Sequence, residues 1–192
     1  MQSQDIERLI GDARSFAAPI FGRHYSSCPD ALRLVDIHSS CVARKALSIA
    51  LRKFPEMDME FLAQAAMLHD IGVVGCDAPS IHCHGSEPYI RHGIIGRNML
   101  LLENLPRHAS VCARHTGAGL TKEEIAAMRL PLPHEDFLPL TREERLICYA
   151  DKFYSKSATP EKEKSLERIY ASLGKFGEAP LGRFRGLQAE FE

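Results

Sequence analysis

The chain has 192 residues, 45% of them hydrophobic and 26% charged, which is enough for one good core and short for two ordinary domains. Its formal net charge of -1 gives no overall attraction to nucleic acid or to acidic membranes, so neither partner is expected. No segment approaches the roughly 18 consecutive apolar residues of a membrane span, and Met1-Gln2-Ser3-Gln4-Asp5 does not lead from a basic region into an apolar run, so the expected location is cytoplasmic.

The first element expected is an amphipathic helix from Asp5 to about Ile20, with Ile6, Leu9, Ile10, Ala13, Phe16 and Ala17 at 3.6-residue spacing. A loop from Tyr25 to Asp30 follows, and Asp30 is the expected N-cap of a long helix from Ala31 to about Phe54. There Leu34, Val35, His38, Cys41, Val42 and Ile49 form one stripe, which turns the His38 imidazole inward. Pro55 ends that helix and Asp58 caps the next, expected to run to Asp70. Leu62, Ala65, Ala66 and Leu68 make it a buried helix, and Gly72 reads as its left-handed stop.

Val73 to Pro88 reads as a loop. His84 is its candidate substrate contact, and the spacing of Cys76, His82, Cys83 and His84 matches no zinc pattern. From Tyr89 to Leu105 a helix places His92, Ile95, Gly96 and Met99 on one face, with Gly93 and Gly96 allowing close approach. A short helix from Pro106 aligns Val111, Cys112 and His115 and stops at Gly117-Ala118-Gly119. Thr121 with Glu124, and Thr141 with Glu144, are capping boxes. Pro131, Pro133 and Pro139 separate them. The second box opens a helix expected from Arg145 to about Ser157, whose inward stripe holds Ile147, Cys148, Asp151 and Tyr154. A buried carboxylate such as Asp151 is costly unless a cation meets it.

Thr159-Pro160 is expected to start the last long helix, with Lys162, Glu163, Lys164 and Glu167 as a solvated face. From Gly174 to Glu192 the pattern loosens; Phe176, Phe184, Leu187 and Phe191 read as a tail packing weakly or against another copy, which makes a homodimer the expected assembly. The six cysteines form no CxxC pair and read as reduced thiols. The fold class is all-α: a single helical domain spanning 1–192, with a core of about 31–157, an N-terminal flank and a C-terminal helical extension from 158.

His69 and Asp70, adjacent at a helix end, make a half-site for a divalent metal. The order His38, His69-Asp70, His92, His115, Asp151, with His69-Asp70-Ile71-Gly72 as an HDIG variant, resembles the HD superfamily of metal-dependent phosphohydrolases. That resemblance implies an HD-domain helical bundle with the metal site in its core. It implies one metal held by His38, His69, Asp70 and Asp151, and a second held by His92 and His115, with Asp70 bridging. The cofactors implied are divalent ions, two per chain, drawn from Mn, Fe, Ni, Zn or Mg, with a bridging water as nucleophile and with His69 and Asp70 as catalytic residues. Arg114 and Lys152, each next to a ligand, are candidate phosphate contacts. The implied activity is a phosphomonoesterase or phosphodiesterase on a nucleotide or other small phosphorylated metabolite.

The HD-GYP branch is disfavoured because Thr116-Gly117-Ala118-Gly119 follows His115, and the stringent-response hydrolases because Ile71-Gly72-Val73-Val74 lacks their acidic residues. Two alternatives share the ligand order. One is an HD-fold mixed-valence di-iron oxygenase of organophosphonates or polyols, with Tyr25 as a residue covering the iron. The other is a non-catalytic metal-binding signalling module.

Overall fold

A computed structural model describes residues 2–156 and 159–192. Small side chains explain the centre of the bundle. Helix α3 (Met59–Leu68) is buried nearly all round, and Ala63, Ala65 and Ala66 let its neighbours approach closely. Around it pack α1 (Gln2–His24), α2 (Pro29–Lys53), α5 (Pro106–Arg114) and α7 (Arg142–Asp151). Helix α4 (His92–Leu102) lies against α5 and against a 3-10 segment, Ile71–Gly75, that continues the α3 chain. Helices α6 (Lys122–Ala127), α8 (Leu166–Leu173) and α9 (Glu178–Phe191) complete the fold. The fold is all-α, a helical bundle with its polar site in the core. Among the described residues no helix is long and apolar enough to cross a membrane.

Several boundaries differ from expectation for physical reasons. Helix α1 extends to His24 despite Pro19, which sits on its exposed face. Helix α2 begins at Pro29, whose fixed φ suits the first helical position, so Cys28 takes the cap and Asp30 falls in the first turn. Asp58 does cap α3, accepting from the Phe61 N–H at 3.0 Å. That helix stops at Leu68, and Gly72 takes no left-handed conformation. It is needed instead for close approach, because a Cβ there would lie 2.1 Å from the His92 carbonyl oxygen and 2.3 Å from the Gly96 nitrogen. Gly93 meets α5 in the same way, its virtual Cβ 2.6 Å from the Cys112 carbonyl oxygen.

The loop after Gly75 contains a two-stranded antiparallel ladder, β1 (Asp77–Ala78) with β2 (Cys83–His84), in register Asp77 to His84. Both capping boxes form. The helix after the second ends at Asp151, well short of its expected end, and Ser157 lies outside the described residues. No helix starts at Thr159-Pro160. That stretch folds back onto the chain just after α7, its Lys164 N–H bonding the Phe153 carbonyl at 2.8 Å. The C-terminal aromatics belong to the core of this chain. Phe184 stacks on Tyr149 at 5.5 Å between centroids, and Phe184 and Phe191 are both fully buried. The apolar face that pointed to another copy is therefore covered from within, apart from Phe176.

His108, on α5, lies between Phe16 and Phe61, with centroids 5.6 and 4.9 Å away. Neither ring nitrogen has a hydrogen-bond partner among the described residues. Burial, and secondarily Arg107, push its pKa down from 6.5 to about 4. The folded state therefore prefers neutral imidazole, so this stability is complete above about pH 6.5 and is lost as the pH falls toward 4. His108→Phe should keep the aromatic packing and remove that loss, gaining ~2 kcal/mol over the parent at pH 4 relative to pH 7 once solvent access is discounted. Thermal melts of both proteins across that range check it; parallel curves would contradict it.

Candidate metal centre

Helix ends build the site. His69 follows the last residue of α3, His115 follows the last residue of α5, and Asp151 is the last residue of α7, so three helix C-termini with their partial negative charge converge. His92 is the first residue of α4, and His38 comes from the middle of α2. Asp70 lies at the centre, fully buried.

Its two oxygens face different imidazoles. Asp70 Oδ2 is 3.1 Å from His38 Nε2 and 2.9 Å from His69 Nε2, and Asp151 Oδ1 is 3.0 Å from His38 Nε2. Asp70 Oδ1 is 3.4 Å from His115 Nε2 and 3.6 Å from His92 Nε2. The donor atoms of His38, His69, Asp70 and Asp151 lie within 4.8 Å of one another, as do those of Asp70, His92 and His115. Sequence reading thus named six side chains that the fold does bring together, in two groups sharing one carboxylate.

Three of the rings are aimed by their own backbones. Nδ1 of His69, His92 and His115 meets the carbonyl oxygen three residues earlier, Ala66, Tyr89 and Cys112, at 2.7, 2.7 and 2.8 Å. A carbonyl only accepts, so Nδ1 carries the proton and Nε2 faces the cluster, the arrangement that orients histidines toward metals. Asp70 Oδ1 is buried without a hydrogen-bond partner, an orphaned acceptor of the kind a cation satisfies. The nitrogen and oxygen donors suit a borderline divalent ion, so the residues present fit such a metal.

The electrostatics are strongly coupled. Burial alone would lower the His69 pKa, but Asp70 and Asp151 outweigh it and bring it up to about 9. Burial and His115 push His92 down to about 3. Asp70 stands well below the usual carboxylate range because His69 and Lys156 outweigh the opposing effect of burial.

The other expected contacts divide. Lys152 reaches the site, its Nζ 2.7 Å from Asp151 Oδ2. Arg114 instead pairs with buried Glu144 at 2.9 Å, which fastens α5 to α7, and it does not line the cavity beside the cluster. His84 is exposed on β2 and does not line that cavity either. Cys76 and Cys83 turn inward while His82 and His84 are exposed, and among the described residues these four form no metal-binding group. Tyr25 is buried and donates to the Ile71 carbonyl at 2.9 Å, so it braces the backbone after Asp70 and does not cover the cluster.

Two lysines were not read as site residues in the sequence. Lys156 Nζ lies 2.5 Å from Asp70 Oδ2, and Lys164 Nζ bonds the Tyr154 carbonyl at 2.6 Å and the Lys152 carbonyl at 3.4 Å. No local pattern marks them, because both arrive on chain that leaves α7 and turns back. A cavity of about 400 Å³ opens beside the cluster, lined by His38, His92, His115, Asp151 and all three lysines.

The family model described as HD domain matches residues 35–155. The chain belongs to the HD-domain family. An uncharacterized protein of Methanocaldococcus jannaschii is 34% identical to this HD-domain chain over 142 residues, which are 72% of this chain and 76% of the relative. Two proteins named tRNA (cytidine(56)-2'-O)-methyltransferase also match it. The one from Thermoplasma volcanium is 28% identical, over 69% of this chain and 35% of its own length. The one from Picrophilus torridus is 36% identical, over 51% of this chain and 25% of its own length. The HD-domain chain thus spans about a third or less of those two proteins. No solved structure matches it.

Proposed function

We propose that the protein is a metal-dependent phosphohydrolase that cleaves a small phosphorylated metabolite, as a phosphomonoesterase or phosphodiesterase. The observation that carries this reading is the convergence of three ammonium groups, Lys152, Lys156 and Lys164, on the cavity beside the two His/Asp groups. Only two carboxylates, Asp70 and Asp151, offset them within the cluster, so the cavity favours an anionic ligand over a neutral polyol. Its volume of about 400 Å³ is near the small end of ligand pockets, about 300–1,000 Å³, which suits a compact metabolite.

His38, His69, Asp70 and Asp151 would hold one divalent cation, and Asp70, His92 and His115 would hold another. Such ions supply Lewis-acid polarisation of a phosphoryl oxygen and a water acidified to near neutrality. The chain's own residues do the rest. Lys152 and Lys156 stand beside Asp151 and Asp70, where they neutralise phosphate oxygens directed at the cluster. Lys164, anchored by two backbone carbonyls, offers its remaining donor to the ligand. Tyr89, whose ring lies 4.8 Å from that of His92, lines the cavity beside the cluster. The methyltransferase name belongs to relatives that are mostly outside the match and supports no reading of this site.

The test is phosphate release under nitrogen by the manganese-loaded protein, run beside an oxygen electrode with the iron-loaded protein. Phosphate release without oxygen is expected. For Lys164→Met the expected result is a KM higher by about tenfold with kcat nearly unchanged, because this lysine touches neither His/Asp group. Oxygen consumption without anaerobic phosphate release would overturn the hydrolase reading in favour of the di-iron oxygenase, and neither activity would favour a binding module.

A further inference from the structure

The HD match ends at residue 155, yet one wall of the cavity lies beyond it. Ile169 and Leu173 of α8, Phe176 of the turn after it and Pro180 of α9 line the same space as His92 and Asp151. The cavity is therefore two-sided in chemistry. Near the cluster it is cationic, and on the α8–α9 side it is mainly apolar, with Ser172 the polar residue among them.

That second wall is held firmly. Arg183 of α9 donates from Nε to the Ala118 carbonyl at 3.1 Å and from Nη2 to the Gly119 carbonyl at 3.0 Å, and it pairs with Glu124 at 2.8 Å. It thus clamps α9 to the loop that follows His115. Ile169 and Leu173 are buried at 2% and 7% exposure, while Phe176 remains 66% exposed at the cavity's edge. A large aromatic left in water at the edge of a ligand cavity is a surface available for a ligand to cover. Gly177, at φ 104° in the region L side chains rarely adopt, ends that turn and lets the chain reverse into α9 with Phe176 at the edge.

We propose that the α8–α9 turn is the specificity wall of the cavity, selecting phosphate monoesters whose alcohol carries an apolar group of about one ring, with Phe176 packing on that group. The inference rests on the phosphohydrolase reading and adds the class of substrate to it. The lysines take the phosphate, the apolar wall takes the alcohol, and compact polar alcohols gain nothing from that wall. Phe176 is a specificity residue, distant in sequence from the chemistry and removable without touching the core.

Calorimetric binding of phenylphosphonate and methylphosphonate to the manganese-loaded protein under nitrogen tests this without turnover. The two probes share a head group and differ only in the group facing the wall. The wild type should bind the phenyl compound more tightly by about tenfold or more. Phe176→Ala should shrink that ratio to about threefold or less and leave the methylphosphonate affinity unchanged, while Phe176→Leu should retain part of it. Equal binding of both probes by the wild type, or an undiminished ratio in Phe176→Ala, would overturn the inference and leave the phosphate site standing. Failure of both probes to bind would instead overturn the phosphate reading, and this one with it.

Discussion

On the proposed reading, Asp70→Ala should lose the metal of both groups and phosphohydrolase activity together. Asp70 is the residue common to the two groups, with Oδ2 2.9 Å from His69 Nε2 and Oδ1 3.4 Å from His115 Nε2. Removing any other ligand leaves at least one group with three donors or with its shared carboxylate. Removing Asp70 takes a donor from both. An activity loss of about 10³-fold or more follows if the cluster is the seat of the chemistry, equal to at least ~4 kcal/mol of barrier. The same change strands Lys156, whose ammonium lies 2.5 Å from Asp70 Oδ2 with only 10% of its side chain exposed. Breaking a buried ion pair costs about 3–5 kcal/mol, so the double variant Asp70→Ala with Lys156→Met is the control for folding. It should melt closer to the parent than Asp70→Ala does and remain inactive. Activity retained in either variant would refute the site.

Gly72→Ala should be among the most destabilising small substitutions in the chain. Alanine lowers unfolded-state entropy, which by itself would favour folding by about 0.4–1 kcal/mol. Against this, its methyl group would lie 2.1 Å from the His92 carbonyl oxygen and 2.3 Å from the Gly96 nitrogen, both backbone atoms of α4 that cannot rotate away. Overpacking of that kind costs ~3 kcal/mol or more, so the clash wins. The expected fall in Tm is about 6–12 °C for a chain of this size. His92 sits on the displaced backbone, so metal held by the His92/His115 group should weaken in the same variant. A Tm equal to that of the parent would show that Gly72 is not needed for close packing.

What could be read from the sequence was whatever a few neighbouring residues decide. The Asp58 cap and the boxes at Thr121 and Thr141 are complete within four residues, and each forms. His38 lies on an apolar stripe, and its inward direction follows from helical spacing alone. What distant chain decides was not legible. Helix α7 ends at Asp151 without glycine or proline, because the returning segment captures its exit through the bond from the Lys164 N–H to Phe153. That return turns Lys164 from a solvated charge into a cavity residue and lets Lys156 reach Asp70. Gly72 misled for a different reason: a left-handed turn and a close approach both require a missing Cβ, and only the position of α4 tells them apart. In the tail, Phe184, Leu187 and Phe191 keep helical spacing, but the glycines around them weakened the pattern, and Tyr149, which packs on Phe184 and Phe191, is thirty-five residues or more away.

The most direct test of the shared-carboxylate site is metal content per chain, measured by elemental analysis of wild type and Asp70→Ala purified side by side without chelator or nickel resin. Close to two equivalents in the wild type and nearly none in Asp70→Ala is the predicted result. Two equivalents retained in Asp70→Ala would contradict it, because two ions would then be held without the one residue that faces both groups.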